Sequence, residues 1–329
     1  LSFIVGTSGI VENRVIERVL LPRNVDPSLG ELTVQIEPSL AAGMREGLEY
    51  LRTYPYDCVE QTVSRFLPNV LTSRALRELG ISDPELETEL PHQVGMGLQR
   101  LYALQNLDGG WGWWSQDAGD PIITGYVLLG LVEAERAGFH VDEMVTERAV
   151  EYLYRWLSIS TQDTRENRDL RAMVLYSLAE ARHGDAGRTA ALYDDVGEMS
   201  LYARALLAMA LHILRPDETT RTDAIVSDLT SRAILSAAGA HWEEDTNDGW
   251  SMNTDTRTTA IIIRTLVRLR PDSPLLANAV RWLMTARSSG RWETTQENAW
   301  SILALTDYIV ATGELGADYM YDLQINDDR

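Results

Sequence analysis

The chain has 329 residues, which fits two or three domains of about 100 to 200 residues or one large repeat-built domain, and excludes a small disulfide scaffold. Hydrophobic residues make up 45% and charged residues 24%, enough apolar material for a substantial core and too much for a disordered chain. Acids outnumber bases 49 to 29, and the formal charge of −20 repels nucleic acid and anionic lipid surfaces alike.

Leu1-Ser2-Phe3-Ile4-Val5 has neither a basic n-region nor a long apolar run, so no signal peptide or membrane span is expected there, and the chain reads as a segment of something longer. Residues 18–21 and 31–37 are short, β-branched or alternating, with Pro22, Pro27 and Gly30 between them, and they read as strands. Tyr319, Tyr321, Leu323 and Ile325 repeat that alternation at the far end of the chain. The expected organisation is a partial β segment over 1–40, a helical domain over 41–314 and a returning strand over 315–329.

The middle contains about a dozen segments with helical spacing and short Gly, Pro, Asp or Asn breaks. Leu90, Val94, Leu98, Leu101 and Leu104 make one stripe; Tyr202, Leu206, Met209 and Ile213 make another, and Ile261, Leu266 and Leu269 a third. A loose repeat links them. Gly110-Trp111 precedes Thr124-Gly125-Tyr126, Gly249-Trp250 precedes Thr258-Thr259-Ala260, and Gly290-Arg291-Trp292 precedes Gln296-Glu297-Asn298-Ala299. A helix pair cannot bury its apolar face alone, so such units stack, and a stack closed on itself is an α/α toroid of about twelve helices. The fold class is therefore all-α, with short flanking β-strands. An open solenoid is the alternative, and it calls for polar capping repeats that the sequence does not display.

Cys58 is the one cysteine, so there is no internal disulfide and no zinc site of paired cysteines; neither metal nor cofactor is expected. It lies in Tyr54-Pro55-Tyr56-Asp57-Cys58-Val59-Glu60-Gln61. Asp57 with Glu60 has the form of a capping box, which makes Asp57 the N-cap, Cys58 the first helical residue and Glu60 part of the cap. The positive helix end then favours a Cys58 thiolate, and the three-residue offset puts the Gln61 carboxamide on the same face. Sulfur beside a carboxamide can displace ammonia and leave an internal thioester, an acyl group that yields readily to amines and alkoxides. On spacing alone a small buried, inert cysteine is the commoner case.

Tyr54 to Thr62 resembles the thioester signature of the alpha-2-macroglobulin and complement family, most of all its bacterial members. Asp108-Gly109-Gly110-Trp111-Gly112-Trp113-Trp114 resembles the family's Gly-aromatic loop, and Thr294-Thr295-Gln296-Glu297-Asn298-Ala299 its Thr-Gln-x-x-Ala helix start. The resemblance implies a thioester domain inserted into a CUB-like β-domain, and a single-use protease inhibitor rather than an enzyme. It implies Cys58 as leaving group, Gln61 as acyl donor, and Tyr54, Tyr56, Trp111, Trp113 and Trp114 as a wall against water. The implied partners are target proteases, captured through lysine amines, and neighbouring macroglobulin and CUB domains. The implied location is periplasmic, cell-envelope or secreted.

Family members that prefer hydroxyl acceptors carry a histidine in a later helix connection, and the corresponding stretch here, residues 156–171, has none. His92, His140, His183, His212 and His241 read as surface or satisfied residues, with His183 and His212 next in line should a base be needed. Amines are therefore the expected acceptors. The sequence contains no lysine, so all 29 bases are arginine; codon bias is the ordinary account, and an amine-seeking domain also avoids acylating itself.

Three other readings exist. A terpene cyclase or prenyltransferase toroid shares the Gly-Trp loops, but no Asp-x-Asp-Asp occurs, and Cys58 is not in a later helix where zinc would need it. A cysteine hydrolase pairing Cys58 with His92 lacks an oxyanion-type context. A helical scaffold without chemistry is the third.

Overall fold

The computed structural model describes residues 58–78, 84–160, 162–245 and 251–313, and the single positions Ile16, Gly47, Tyr50, Leu51, Asp322 and Gln324; for 76–78 and 84–87 only the backbone is described. The strands expected at 18–21 and 31–37 lie outside these residues, as does most of 319–325, where Asp322 and Gln324 belong to no strand.

Eleven α-helices follow in order among the described residues: α1 Val59–Glu78, α2 Pro84–Ala103, α3 Pro121–Arg136, α4 Glu143–Ile159, α5 Arg165–Glu180, α6 Ala186–Leu192, α7 Leu201–Leu214, α8 Thr219–Ser231, α9 Asp255–Leu269, α10 Leu275–Thr285 and α11 Thr295–Thr312. Gly47, Tyr50 and Leu51 are also helical. Their neighbours lie on the loop before α11: a Cβ on Gly47 would stand 3.3 Å from the Trp292 ring, and the Arg291 guanidinium lies 4.1 Å from the Tyr50 ring centroid.

The helices alternate between two rings. α1 packs on α3, α3 on α5, α5 on α7, α7 on α9, α9 on α11, and α11 back on α1, which closes the inner ring. The open solenoid is thereby excluded. α2, α4, α6, α8 and α10 lie outside, each against the inner helix that precedes it. Composition explains the division. α3 buries every residue from Pro121 to Ala134, as a helix walled on all sides must, whereas α4 buries one stripe, Val145, Ala149, Val150, Leu153 and Leu157.

All six inner helices point the same way. Their starts meet at one end, where Glu60 of α1 contacts Thr295 of α11 and Asp169 of α5 contacts Ser200 before α7. Their finishes meet at the other, where Arg74 reaches Glu133 and Arg264 reaches Asp307. These are called the near end and the far end below.

One motif recurs at the near end. The indole N–H of Trp111 donates to the Leu101 carbonyl in the last turn of α2 (2.8 Å), while its backbone N–H donates to Thr124 Oγ1 in α3 (2.9 Å). Trp292 does the same with Leu283 (2.9 Å) and Asn298 Oδ1 (3.2 Å). The middle copy is made by Trp242, bonded to Leu229 (2.6 Å) and Thr259 Oγ1 (3.1 Å). Gly249 and Trp250, the pair expected there, lie outside the described residues. Each tryptophan ties an outer helix to the next inner one. Before Trp242 runs an antiparallel hairpin, β1 Ile234–Ser236 with β2 Gly239–His241, which the helical periodicity gives no hint of. Gly239 is required in it: its φ is +130°, and a Cβ would come within 2.2 Å of the Asn278 carbonyl oxygen.

Candidate functional site

α1 begins at Val59, and the Cys58 carbonyl already accepts the Thr62 N–H (2.9 Å), so Cys58 is the N-cap and Gln61 the third residue of the helix. This moves the expected cap by one position. The Cys58 N–H donates to Gln61 Oε1 (3.4 Å), and the Gln61 N–H donates to Cys58 Sγ (3.5 Å). That is the reciprocal pattern of a capping box, made here by Cys-x-x-Gln with sulfur in place of a hydroxyl. It holds sulfur and carboxamide against each other. Cys58 is buried and Gln61 half-buried.

The loop before α3 fixes the start of α1, because the Val59 N–H donates to the Trp113 carbonyl (2.9 Å). Thr62 Oγ1 donates to the Cys58 carbonyl (2.9 Å) and accepts from Arg100 Nε of α2 (3.3 Å). Asp57, Tyr54 and Tyr56 lie outside the described residues.

Glu60, expected in the cap, turns into the ring instead. Its carboxylate accepts Ser64 Oγ (2.6 Å), Thr295 Oγ1 (3.0 Å to each oxygen) and Gln296 Nε2 (2.9 Å), and Gln296 Oε1 accepts the Trp300 indole N–H (3.1 Å). Every direct donor is neutral. Tyr126 closes the cluster at 3.0 Å from Ser64 Oγ, with burial and then Glu60 driving its phenol pKa well above the ordinary value. The Thr294 to Ala299 motif now divides by role. Thr294 and Glu297 form the α11 capping box, Thr295 and Gln296 hold Glu60, and Asn298 holds the Trp292 loop. Arg100 and Trp300 had no sequence signal, and Ser64 and Tyr126 had none beyond a four-residue offset from Glu60 and a place in the small-residue helix start.

Of the residues expected in the aromatic wall, Tyr54 and Tyr56 lie outside the described residues and the three tryptophans take different places. Trp111 is fully buried in the core and Trp114 is exposed, its N–H donated to Asp117 Oδ2 (3.0 Å); Trp113 alone reaches the start of α1, through its carbonyl.

Residues 32–169 match the family described as the A-macroglobulin TED domain. Over that stretch the chain is similar to the thioester domain of the alpha-macroglobulin family. It is 40% identical over 115 residues to an alpha-2-macroglobulin of Thermotoga maritima, covering 35% of this chain and 7% of that protein. It is 32% identical over 130 residues to the alpha-2-macroglobulin of Escherichia coli, covering 39% and 8%. The match to thioester-containing protein 1 allele R1 of Anopheles gambiae, 19% identical over 323 residues, covers 92% of this chain and 24% of the mosquito protein. The matched stretches are under a tenth of the bacterial relatives' length.

The chain also superposes on solved structures. Native E. coli alpha-2-macroglobulin from domain MG7 to the C-terminus gives a TM-score of 0.65 at 22% identity, over 80% of this chain and 42% of that one. Salmonella alpha-2-macroglobulin reacted with methylamine gives 0.67 at 22%, over 80% and 17%. That likeness is one of fold, and it agrees with the closed helical ring. The family match over residues 32–169 also favours this reading over the cyclase and prenyltransferase toroids, which share the Gly-Trp loops. No helix of the described residues is long and apolar enough to cross a membrane.

Proposed function

We propose that this thioester domain serves a bacterial alpha-2-macroglobulin-like protease inhibitor and captures proteases covalently through a thioester between Cys58 and Gln61. The observation that carries the reading is the Cys58–Gln61 capping box. Sulfur attacks the Gln61 carboxamide carbon, the C–N bond breaks, and ammonia leaves with the thiol proton. On activation an amine attacks the same carbon, the C–S bond breaks, and the sulfur leaves as a thiolate at the helix N-terminus, where negative charge is favoured. The amine's proton passes to solvent, and the product is an amide at position 61.

Acceptor choice follows from what lies near the sulfur. Residues 156–171 cross from α4 to α5 without a histidine. His183 and His212 lie at or beyond the finishes of α5 and α7, at the far end, which removes them as candidate bases for Cys58. His241, at the near end, stacks on Trp282 (4.5 Å between centroids) with Nε2 3.1 Å from Glu243. A hydroxyl acceptor therefore lacks a base, while a neutral amine needs none. Residues 1–40 and 315–329 we read as parts of the CUB-like domain, and the parent protein as secreted or resident in the cell envelope.

The test is an intact mass. A thioester makes the protein one ammonia lighter than its sequence, and methylamine should then add one amine at Gln61 and release one thiol. Identical thiol titration before and after methylamine, with no lighter species in the full-length parent, would sink the assignment.

A further inference from the structure

Lysine ranks among the commonest residues of globular chains, yet all 29 of the strong bases here are arginine. Inside the ring the guanidinium itself explains the choice. Arg264 joins Glu133 and Asp307, and Arg204 joins Asp228 and the carbonyls of Met199 and Gly197, each through several donors in a fixed fork that one ammonium does not supply. On the surface that account fails. Arg215, just past the finish of α7, makes an exposed ion pair with Glu218 at 3.6 Å, which an ammonium would make equally well.

Two arginines stand beside Gln61. Arg65 follows it by four residues, one turn on along the same face of α1, and helical side chains lean toward the helix N-terminus, so its stem is directed back over the turn that holds Gln61. Arg100 comes from α2, with Nε 3.3 Å from the hydroxyl of Thr62, the next residue. Gln61 and Arg65 are half-buried and Arg100 is exposed. A guanidinium keeps its proton at any pH a folded protein meets and offers no lone pair for attack. A lysine has the same charge on a stem of nearly the same length, but the neutral fraction of its amine is a nucleophile of the class that the thioester is read as capturing. Held at position 65 or 100, such an amine would meet the acyl group at high effective concentration.

We propose that the absence of lysine protects the acyl group at Gln61 from capture by its own chain, and that Arg65 and Arg100 are the positions where a lysine would discharge it. The inference rests on the thioester reading above. With a lysine at either position, its neutral amine attacks the Gln61 carbonyl carbon, a C–N bond forms, the C–S bond breaks, the sulfur leaves as a thiolate, and a proton of the amine passes to solvent. The product is an internal amide that can capture nothing further. Position decides the outcome: beside Gln61 the reaction runs within one chain at any dilution, whereas an amine at position 215, at the far end, meets the acyl group only on a second copy. Codon usage alone predicts that lysine is tolerated at all three positions.

The experiment compares the full-length parent with its Arg65→Lys, Arg100→Lys, Arg65→Gln and Arg215→Lys variants, each kept dilute. Before any amine is added, it reads the Cys58 thiol by alkylation and the mass of the peptide that contains Gln61. Wild type, Arg65→Gln and Arg215→Lys should keep the thiol closed and take up methylamine. Arg65→Lys and Arg100→Lys should show at least about tenfold more free thiol, lose methylamine uptake, and yield a peptide in which position 61 is joined to the new amine, one ammonia lighter than its sequence. Simple hydrolysis also frees the thiol, but it leaves no cross-link. The cross-link in either lysine variant supports the proposal, and if one does not fold the other decides. A closed thiol with ordinary methylamine uptake in every folded one of the two overturns it. So does loss of the thioester in Arg65→Gln, which would make the guanidinium itself the group required, or an equal loss in dilute Arg215→Lys. A wild type without the lighter species strikes the thioester reading itself, and this proposal with it.

Discussion

The two ends of the ring solve the same problem with different chemistry. At the far end, charges meet charges. Glu133 accepts from Arg74, from Arg264 Nη2 at 2.6 Å and from Arg136 Nη1 at 3.1 Å; Asp307 accepts from Arg74 and Arg264; Glu180 accepts from Arg136 and Arg268. Five of the six inner helices are joined in this way. At the near end the buried carboxylates Glu60 and Asp169 rest on hydroxyl, amide and backbone donors instead. An ion lattice resists change because every member leaves another charge stranded, whereas neutral donors tolerate rearrangement. The end that holds Cys58 is the more adaptable one.

The largest expected effect tests the lattice. Arg264→Met should leave Glu133 and Asp307 short of a buried cation and cost about 3–5 kcal/mol, read from urea unfolding. A loss below about 1 kcal/mol would mean that the remaining arginines suffice and that the two ends do not differ as described. Glu60→Gln is the matching change at the near end, and about 1.5–3 kcal/mol is expected, since three donors lose a charged acceptor but no ion pair is broken. A cost equal to that of Arg264→Met would erase the contrast.

The ends should also respond oppositely to pH. Burial pushes the Asp169 carboxyl up to about 6, the Ser200 bonds only partly opposing it. Burial acts the same way on Asp307, but Arg264, Arg268 and Arg74 outweigh it and hold that carboxyl down at about 2. Unfolded, both titrate near about 4. Asp307 thus stabilises the fold above that value, and its contribution is lost as pH falls toward 2. Asp169 contributes fully below about pH 4, and its contribution is lost as pH rises to about 6. Asp169→Asn keeps acceptor and shape, so it should flatten the decline between pH 4 and 6, worth about 2 kcal/mol. Unfolding midpoints at pH 4.5 and 7 that fall equally in variant and wild type would show that Asp169 ionises normally.

Much of the closed ring is legible in the sequence because inner and outer helices carry different burial patterns, and the Gly-Trp loops mark where one becomes the other. The Cys58 and Gln61 juxtaposition is legible too, being set by a three-residue offset that survives a one-residue error in the cap. What is not legible depends on the third dimension. Two overlapping Asp/Cys-x-x-Glu/Gln offsets compete for the same helix start, and only the inward pull of Thr295 and Gln296 on Glu60 decides between them. Trp242 is hidden because its hairpin places it earlier in the loop than a Gly-Trp pair would suggest. Arg74, Glu133, Glu180, Arg264 and Asp307 are scattered over the chain, and nothing short of ring closure brings them together.

The smallest effect compares two capping boxes within the near end itself. The box of Thr294 and Glu297 uses an oxygen that accepts the Glu297 N–H at 3.1 Å, and the box of Cys58 and Gln61 uses a sulfur at 3.5 Å. Oxygen is the stronger acceptor, so Thr294→Ala should cost about 1 kcal/mol. Cys58→Ser supplies the missing oxygen at nearly the same volume, and it should leave stability unchanged or raise it slightly while abolishing methylamine uptake. The sulfur is then present for its chemistry, at a small cost to the cap. If Cys58→Ser instead lowers stability as much as Thr294→Ala does, in urea unfolding under the same conditions, the sulfur is serving the packing of the α1 start. The capping geometry would then no longer argue that Cys58 and Gln61 are held together to react.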